Sequence, residues 1–186
     1  MKSNLETFLA RHKPLVERSE IWGEGTISLR IRNFITGEFP PHEYITSVKS
    51  FVLQKDQVLV VRNPQGVHLL PGGRIENGET FIDTIQREII EETGWTISNL
   101  VLIGFTHFHH LTPKPEGYQY PYPDFIQLNY MAEAVEHLKD SKILDDYVID
   151  SQFYPLSEIH SLVSKEELTH LRSALIVYRG KFNRNH

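Results

Sequence analysis

The segment that most constrains the fold is a glycine turn followed by a short helix with clear start and stop signals. Pro71-Gly72-Gly73 predicts a backbone turn that needs the conformational freedom of glycine. The residues after it predict a helix from about Thr80 to Thr93, because Thr80 is a good N-terminal cap and Gly94 is a typical C-terminal stop. The sequence therefore predicts a glycine turn that is followed closely by one helix.

Three glutamates lie on one face of this predicted helix. Glu88, Glu91 and Glu92 are spaced at i, i+3 and i+4, so a rotation of about 100° per residue brings their carboxylates to the same side. Like charges at these spacings destabilise a helix and raise one another's pKa unless a cation lies between them. Because Mg²⁺ prefers oxygen ligands, the pattern predicts a cation site, and a solvated acidic face is the alternative.

The residues around the three glutamates resemble the Nudix box of the Nudix hydrolases. The matching pattern is Gly73-x5-Glu79-x7-Arg87-Glu88-Ile89-x-Glu91-Glu92-x-Gly94-Trp95. All seven fixed glycine and polar positions of the box agree, and Trp95 replaces the usual aliphatic residue. The resemblance covers residues 46–162 in outline, and it implies an α/β fold, a Nudix-like α/β/α sandwich with a mixed β-sheet.

The resemblance also implies an activity and a set of site residues. The activity is hydrolysis of a diphosphate linkage in a nucleoside diphosphate joined to another group, with Mg²⁺ or Mn²⁺ as cofactor. The implied metal ligands are three carboxylates and one main-chain carbonyl, those of Glu88, Glu91, Glu92 and Gly73. We expect Glu88 to deprotonate the attacking water, Arg87 to orient a box carboxylate, and Glu79 to support the connection between loop and helix.

Residues outside the box are weaker candidates for substrate contacts. Arg62 and Arg74 flank the glycine turn and are expected to reach phosphates, with ordinary surface charge as the alternative. His68 is expected in the pocket wall. Tyr120 lies in the loop 112–123, which is rich in proline and tyrosine, and it is a candidate for stacking on a nucleobase. The alternatives are that the loop covers apolar surface or contacts a partner chain.

The sequence does not decide the roles of a histidine cluster and of a group of aspartates. His107 and His109 are expected to share one face of a strand, while His110 points away. The functional hypotheses for the cluster are a phosphate contact, binding of a second metal and an acid–base role. The alternative is a strand end with partly exposed histidines. An additional catalytic acid in the loop before the last strand would be one of Asp145, Asp146 and Asp150. Spacing does not separate these three aspartates, and loop solvation is their ordinary explanation.

The chain is expected to consist of an N-terminal extension and one hydrolase domain. Residues 1–44 predict a helix within 3–18, broken at Pro14, and a strand within 26–35; residues 45–186 predict the domain with its C-terminal helix. The extra amphipathic strand must cover some surface, which predicts either a homodimer or packing on its own domain.

Composition restricts the partners. The net charge is −5, and the segment from Gly73 to Trp95 contributes −4 of it, which argues against binding long nucleic acid. No apolar run approaches the roughly 20 residues that span a bilayer, so no membrane partner is expected. The absence of cysteine excludes thiolate metal sites, argues against the isomerase branch of the fold, and fits an expected cytoplasmic location.

Three functions remain open. The first is hydrolysis of a (deoxy)nucleoside triphosphate or a similar small nucleotide, and the second is hydrolysis of a nucleotide sugar of the ADP-ribose type. The third, from another class, is a non-catalytic nucleotide-binding Nudix regulatory module. Such modules tend to lose metal ligands, whereas this chain keeps Glu88, Glu91 and Glu92.

Overall fold

The structure is a computed structural model that describes residues 3–23, 25–138 and 148–182. Its helices are α1 Asn4–Leu9, α2 Phe81–Thr93 and α3 Lys165–Phe182. Its strands are β1 Val16–Trp22, β2 Ile27–Ile35, β3 Ile45–Gln54, β4 Gln57–Asn63, β5 Gly66–His68, β6 Trp95–His110, β7 Asp124–His137 and β8 Asp150–Pro155. Within the described residues no helix is both long and apolar enough to cross a membrane.

The chain forms two compact units, and the long strands β6 and β7 contribute to both. Unit one comprises Met1–Ser47 and Gly104–Leu128, and unit two comprises Val48–Ile103 and Asn129–His186. The mixed sheet with helices confirms the expected α/β class. The boundary expected at residue 44 stays a prediction.

Unit one contains α1 and the strand order β1-β2-β6-β7. β1 pairs antiparallel with β2, and β2 pairs antiparallel with the second half of β6. The rings of Phe34 and Phe105 stack at 4.6 Å, and Phe8 of α1 lies 5.6 Å from Phe105. These aromatic contacts fix the helix against the strands, because buried aromatic side chains contribute large apolar areas.

The helix expected within residues 3–18 is shorter than the sequence pattern indicated. It ends at Leu9, and the residues from Val16 onward form β1. Pro14 explains the change, since it disfavours helical geometry in the residue before it and cannot continue the hydrogen-bond ladder. Beyond the proline, the amide of Leu15 donates to Asn33 O at 2.7 Å, and this bond leads the chain into strand pairing with β2.

Unit two carries the glycine turn and the glutamate-bearing helix. Its strand order is β6-β7-β3-β4-β5, with β8 paired antiparallel to β4. α2 begins after Thr80, whose hydroxyl accepts from the amide of Asp83 at 3.2 Å, and it ends at Gly94 with φ +76°. The sequence therefore predicted this helix correctly.

Candidate active site

The glycine turn runs beside β3 at very close range. The amide of Val48 donates to Gly73 O at 2.9 Å, and the amide of Ser50 donates to Pro71 O at 3.0 Å. Gly72 has φ +129°, and a Cβ there would overlap the Val48 carbonyl oxygen and lie 2.8 Å from Lys49 Cα. Only glycine adopts this φ without strain and also leaves space for the backbone of β3. The turn can therefore lie directly against β3.

Arg87 of α2 links the loop to the helix through an ion-pair network. Its Nε donates to Glu79 Oε1 at 2.6 Å and its Nη2 to Glu79 Oε2 at 3.0 Å, a bidentate pair. Its Nη1 donates to Glu88 Oε1 at 3.0 Å and to Glu91 Oε2 at 2.9 Å, while Nη2 reaches Arg74 O at 3.2 Å. The guanidinium of Arg87 therefore contacts Glu79, Glu88 and Glu91 at the same time.

Acid sensitivity of folding is the expected consequence of the Arg87–Glu79 pair. The hydrogen bond from Arg87 lowers the pKa of Glu79 from 4.5 to about 2. Because the folded-state pKa is the lower one, the pair stabilises the protein fully above pH 4.5 and loses this contribution as the pH falls towards 2. In urea denaturation, the stability difference between the wild type and Glu79→Gln should therefore shrink across that window. Glu166→Gln, an exposed charge loss on α3, should show no such trend, and a constant wild-type difference for Glu79→Gln would contradict the assignment.

Two of the box carboxylates, those of Glu92 and Glu88, lie against the glycine turn. Glu92 is buried, and its Oε2 accepts from the amide of Gly72 at 2.8 Å. The Glu88 carboxylate lies against Gly73, where a Cβ would come within 2.5 Å of Glu88 Cδ. Burial raises the pKa of Glu88, and the hydrogen bond from Arg87 only partly opposes this effect. The absence of a side chain at Gly73 therefore makes the room that the Glu88 carboxylate occupies.

Gly73→Ala should damage the site more than the fold. The added methyl group meets the flexible end of Glu88, which can rotate away at small cost, instead of meeting backbone. We expect turnover to fall about 10²-fold, the lower end of the effect of a mispositioned acid–base group. Thermal unfolding should stay within a few degrees of the wild type. Wild-type turnover in a folded Gly73→Ala variant would show that Glu88 has no catalytic role.

Lys49 is a further candidate for the site, and the sequence alone did not indicate it. It lies on β3 beside the glycine turn, and burial lowers its pKa while the charges of Glu92 and Glu88 oppose that effect. The charge of Lys49 also contributes, after burial, to lowering the pKa of His68 to about 4. The available signal was that Lys49 is the single charged residue of β3. Only the hydrogen bonds of that strand to the glycine turn place it near the carboxylates.

The box carboxylates have the chemistry of ligands for a hard divalent cation, but in the described structure they do not converge on one point. Within residues 3–23, 25–138 and 148–182 no three His, Asp or Glu side chains converge closely enough to hold a metal ion. Arg87 Nη1 contacts both Glu88 and Glu91, while Glu92 accepts from the amide of Gly72. The fit rests on the donors themselves, which are carboxylate oxygens on one helix face. It also rests on the raised pKa of Glu88, since a cation stabilises a carboxylate whose charge is disfavoured.

The remaining candidates from the sequence have different surroundings. Arg62 of β4 is exposed and lies opposite Asp150 of β8 in the strand register. Arg74 is exposed, and its carbonyl accepts from Arg87. His68 is partly buried, and its Nε2 has no hydrogen-bond partner among the described residues. The substrate contacts expected of these residues stay predictions.

Two groups of candidates lie elsewhere or are not described. Tyr120 belongs to unit one, where its ring packs edge-on against Tyr118 at 5.5 Å, in a segment without helix or strand as expected. Asp145 and Asp146 fall outside the described residues.

A match to a family model agrees with this geometry. The model described as NUDIX domain matches residues 43–174, which is most of the chain and includes the glycine turn, α2 and β3. The chain belongs to the Nudix family.

Similar proteins support this membership. The chain is 27% identical over 134 residues to the human 8-oxo-dGDP phosphatase NUDT18, covering 69% of this chain but 38% of that protein. It is 31% identical over 116 residues to the uncharacterized Nudix hydrolase YvcI of Bacillus subtilis, covering 61% of this chain and 73% of that one. This chain thus spans well under half the length of the human relative.

The solved structure of the Bacillus subtilis pyrophosphohydrolase BsRppH is similar in fold. The TM-score is 0.55 at 16% identity, with 90% of this chain and 97% of that chain covered. At this identity the likeness concerns the fold alone.

Proposed function

We propose that this chain is a Nudix hydrolase that cleaves the diphosphate linkage of a nucleoside diphosphate joined to another group, with Mg²⁺ or Mn²⁺ as cofactor. The observation that carries the proposal is the network in which Arg87 binds Glu79, Glu88 and Glu91 at 2.6–3.0 Å. This network lies beside a glycine turn whose amide is bound by Glu92. A non-catalytic module would have no need to keep all of these groups in one arrangement.

The chemistry assigns a role to each group. Glu88, Glu91 and Glu92 would hold the divalent cation, with the Gly73 carbonyl as a further candidate ligand. When bound, the cation neutralises phosphate charge and lowers the pKa of a bound water. Glu88 accepts a proton as the water oxygen bonds to phosphorus, and the bond from that phosphorus to the bridging oxygen breaks. The bridging oxygen leaves on the second phosphate, so each product carries a terminal phosphate.

Lys49 is the proposed counter-charge for the substrate phosphates. A polyphosphate near three carboxylates is repelled unless fixed positive charge compensates, and Lys49 interacts electrostatically with Glu92 and Glu88. We therefore expect Lys49→Met to raise KM roughly tenfold, the effect of losing one charged hydrogen bond. Lys165→Met, which removes an exposed charge at the start of α3, serves as the control. An unaltered KM in a folded Lys49→Met variant would exclude this role.

Small nucleotides are the proposed substrates, with (deoxy)nucleoside triphosphates first. Because the human relative is named an 8-oxo-dGDP phosphatase, oxidised guanine deoxynucleotides are included among the compounds to be tested. Nucleotide sugars of the ADP-ribose type are the alternative. We keep Tyr120 as the proposed nucleobase contact, and unchanged KM values for every nucleotide in Tyr120→Ala would remove it.

The test is a panel of nucleotides and nucleotide conjugates with Mg²⁺ and with Mn²⁺, in which the released products are identified. Orthophosphate, pyrophosphate and nucleoside monophosphate each report which bond was cleaved. Metal-dependent release from at least one compound is expected. Tight nucleotide binding without any release would favour the regulatory module instead.

Location and assembly stay predictions. A cytoplasmic location and a homodimer through the N-terminal extension are both compatible with the described residues. A light-scattering mass of one chain at micromolar concentration would exclude the dimer.

A further inference from the structure

β1 is the outermost strand of unit one, and its end carries exposed apolar side chains. It stands last in the strand order of that unit, and among the described residues β2 is the only strand that pairs with it. Ile21 is 69% exposed and Trp22 is 41% exposed. Because the outward N–H and C=O groups of an edge strand can bind another strand, the outer edge of β1 is a candidate interaction surface.

The side chains of β1 divide between the two faces of the sheet. Alternation places four of them on one face, those of Val16, Arg18, Glu20 and Trp22. Two contacts agree with this placement: Arg18 Nε donates to Glu20 Oε1 at 2.6 Å, and Trp22 Nε1 donates to Glu20 Oε2 at 2.9 Å. The side chains of Arg18 and Glu20 are still 38% and 37% exposed. This face of the edge therefore presents one positive and one negative charge side by side.

Symmetry limits how this edge can pair with a second copy of itself. A two-fold axis perpendicular to two antiparallel strands passes where a residue lies opposite its own copy. Pairing centred on Ser19 places Arg18 opposite Glu20 of the second copy, and Glu20 opposite Arg18 of the second copy. Pairing centred on Arg18 or on Glu20 instead places two like charges directly opposite each other. Of these three registers, the one centred on Ser19 is therefore the electrostatically favourable one.

The register centred on Ser19 also pairs all seven residues of β1. It places Val16 opposite Trp22 of the second copy at both ends of the strand pair, so the exposed ring meets an apolar side chain. Charged side chains ordinarily protect an edge strand from pairing. In β1 the positions of Arg18 and Glu20 on either side of Ser19 make the edge complementary to itself instead.

We propose that β1 pairs antiparallel with β1 of a second copy of this chain, with the two-fold axis at Ser19, so that one sheet continues across a homodimer. This register gives a defined surface to the homodimer expected from the N-terminal extension. The dimer and the proposed hydrolysis are independent, because no residue of β1 belongs to the Nudix box.

A thiol at the centre of the strand pair tests the register, because the chain contains no cysteine of its own. Ser19→Cys should form a disulfide-linked dimer on mild oxidation, since Cα atoms about 5 Å apart in an antiparallel pair suit a disulfide. Ile21→Cys is the control, because Ile21 is 69% exposed on the same face as Ser19. Its two copies would lie about 14 Å apart at Cα and should not be linked. Equal or preferential linkage of Ile21→Cys on a non-reducing gel would overturn the register.

Charge exchange tests the pairing of Arg18 with Glu20. Arg18→Glu places glutamates opposite each other, and Glu20→Arg places arginines opposite each other, so each variant alone should dimerise about tenfold more weakly or worse. An equimolar mixture of the two variants should form a heterodimer, because each cross-strand pair then joins an arginine to a glutamate. The double variant with both exchanges should again form a homodimer. Analytical ultracentrifugation across the micromolar range measures all four.

Two further variants separate this pairing from a general effect of net charge. Arg172→Glu and Glu166→Arg make the same charge changes at exposed positions of α3, and they should leave dimerisation unchanged. Circular dichroism should show that the β1 variants stay folded, because the Arg18–Glu20 pair within one chain is partly exposed and contributes little stability. A wild-type mass of one chain up to high micromolar concentration would overturn the proposal. A mixture of Arg18→Glu and Glu20→Arg that associates no better than either variant alone would overturn it as well.

Discussion

Glu92→Gln is expected to lower metal-dependent turnover about 10³-fold while the protein stays folded, because losing one charged ligand removes several kcal/mol of cation stabilisation. The substitution keeps the local structure: the glutamine side-chain oxygen can still accept from the amide of Gly72, the bond that Glu92 Oε2 makes at 2.8 Å. It removes the negative charge and replaces the second carboxylate oxygen by an amide nitrogen, which is a poor metal ligand. Glu91→Gln should act in the same way, since its amide oxygen can still accept from Arg87.

The decisive measurement compares kcat/KM with Mg²⁺ for Glu92→Gln and for Glu166→Gln, which loses one exposed glutamate charge on α3. Circular dichroism and thermal unfolding should be close to the wild type for both. Full activity in a folded Glu92→Gln variant would remove this residue from the metal ligands. A folded variant with weaker Mn²⁺ binding and lost turnover is the result that we expect.

Gly72→Ala should be the most destabilising single substitution near the site. Its φ of +129° is strained for any residue with a Cβ, and the added atom would overlap the backbone of Val48 and approach Lys49 Cα at 2.8 Å. Backbone cannot rotate away, so strain and overlap should together cost about 3 kcal/mol or more. For a chain of this size that corresponds to a fall in Tm of roughly 6–12 °C.

Two further glycine substitutions provide the contrast. A Cβ at Gly37 would meet nothing within 4 Å, so Gly37→Ala should unfold close to the wild-type temperature. Gly73→Ala should also stay folded, because its neighbour is the movable end of Glu88. If Gly72→Ala and Gly37→Ala unfolded at the same temperature, the tight packing of the turn on β3 would be wrong.

Helix α2 was predictable because its signals are local. The cap at Thr80, the stop at Gly94 and the i, i+3, i+4 spacing of the glutamates all act within a few turns, and the structure reproduces the helix from Phe81 to Thr93. The same local reasoning overextended the first helix, where apolar spacing alone did not reveal that the chain after Pro14 pairs with β2 as a strand.

Sequence alone therefore determined the family, the class of fold and the helix that carries the carboxylates. Tertiary structure decided which distant residues join them: Lys49 comes beside Glu92 and Glu88, and Asp124 comes between His107 and His109. The physical reason is strand register. Neighbouring strands bring together side chains that are far apart in sequence, and a shift of one residue would turn each side chain to the opposite face of the sheet.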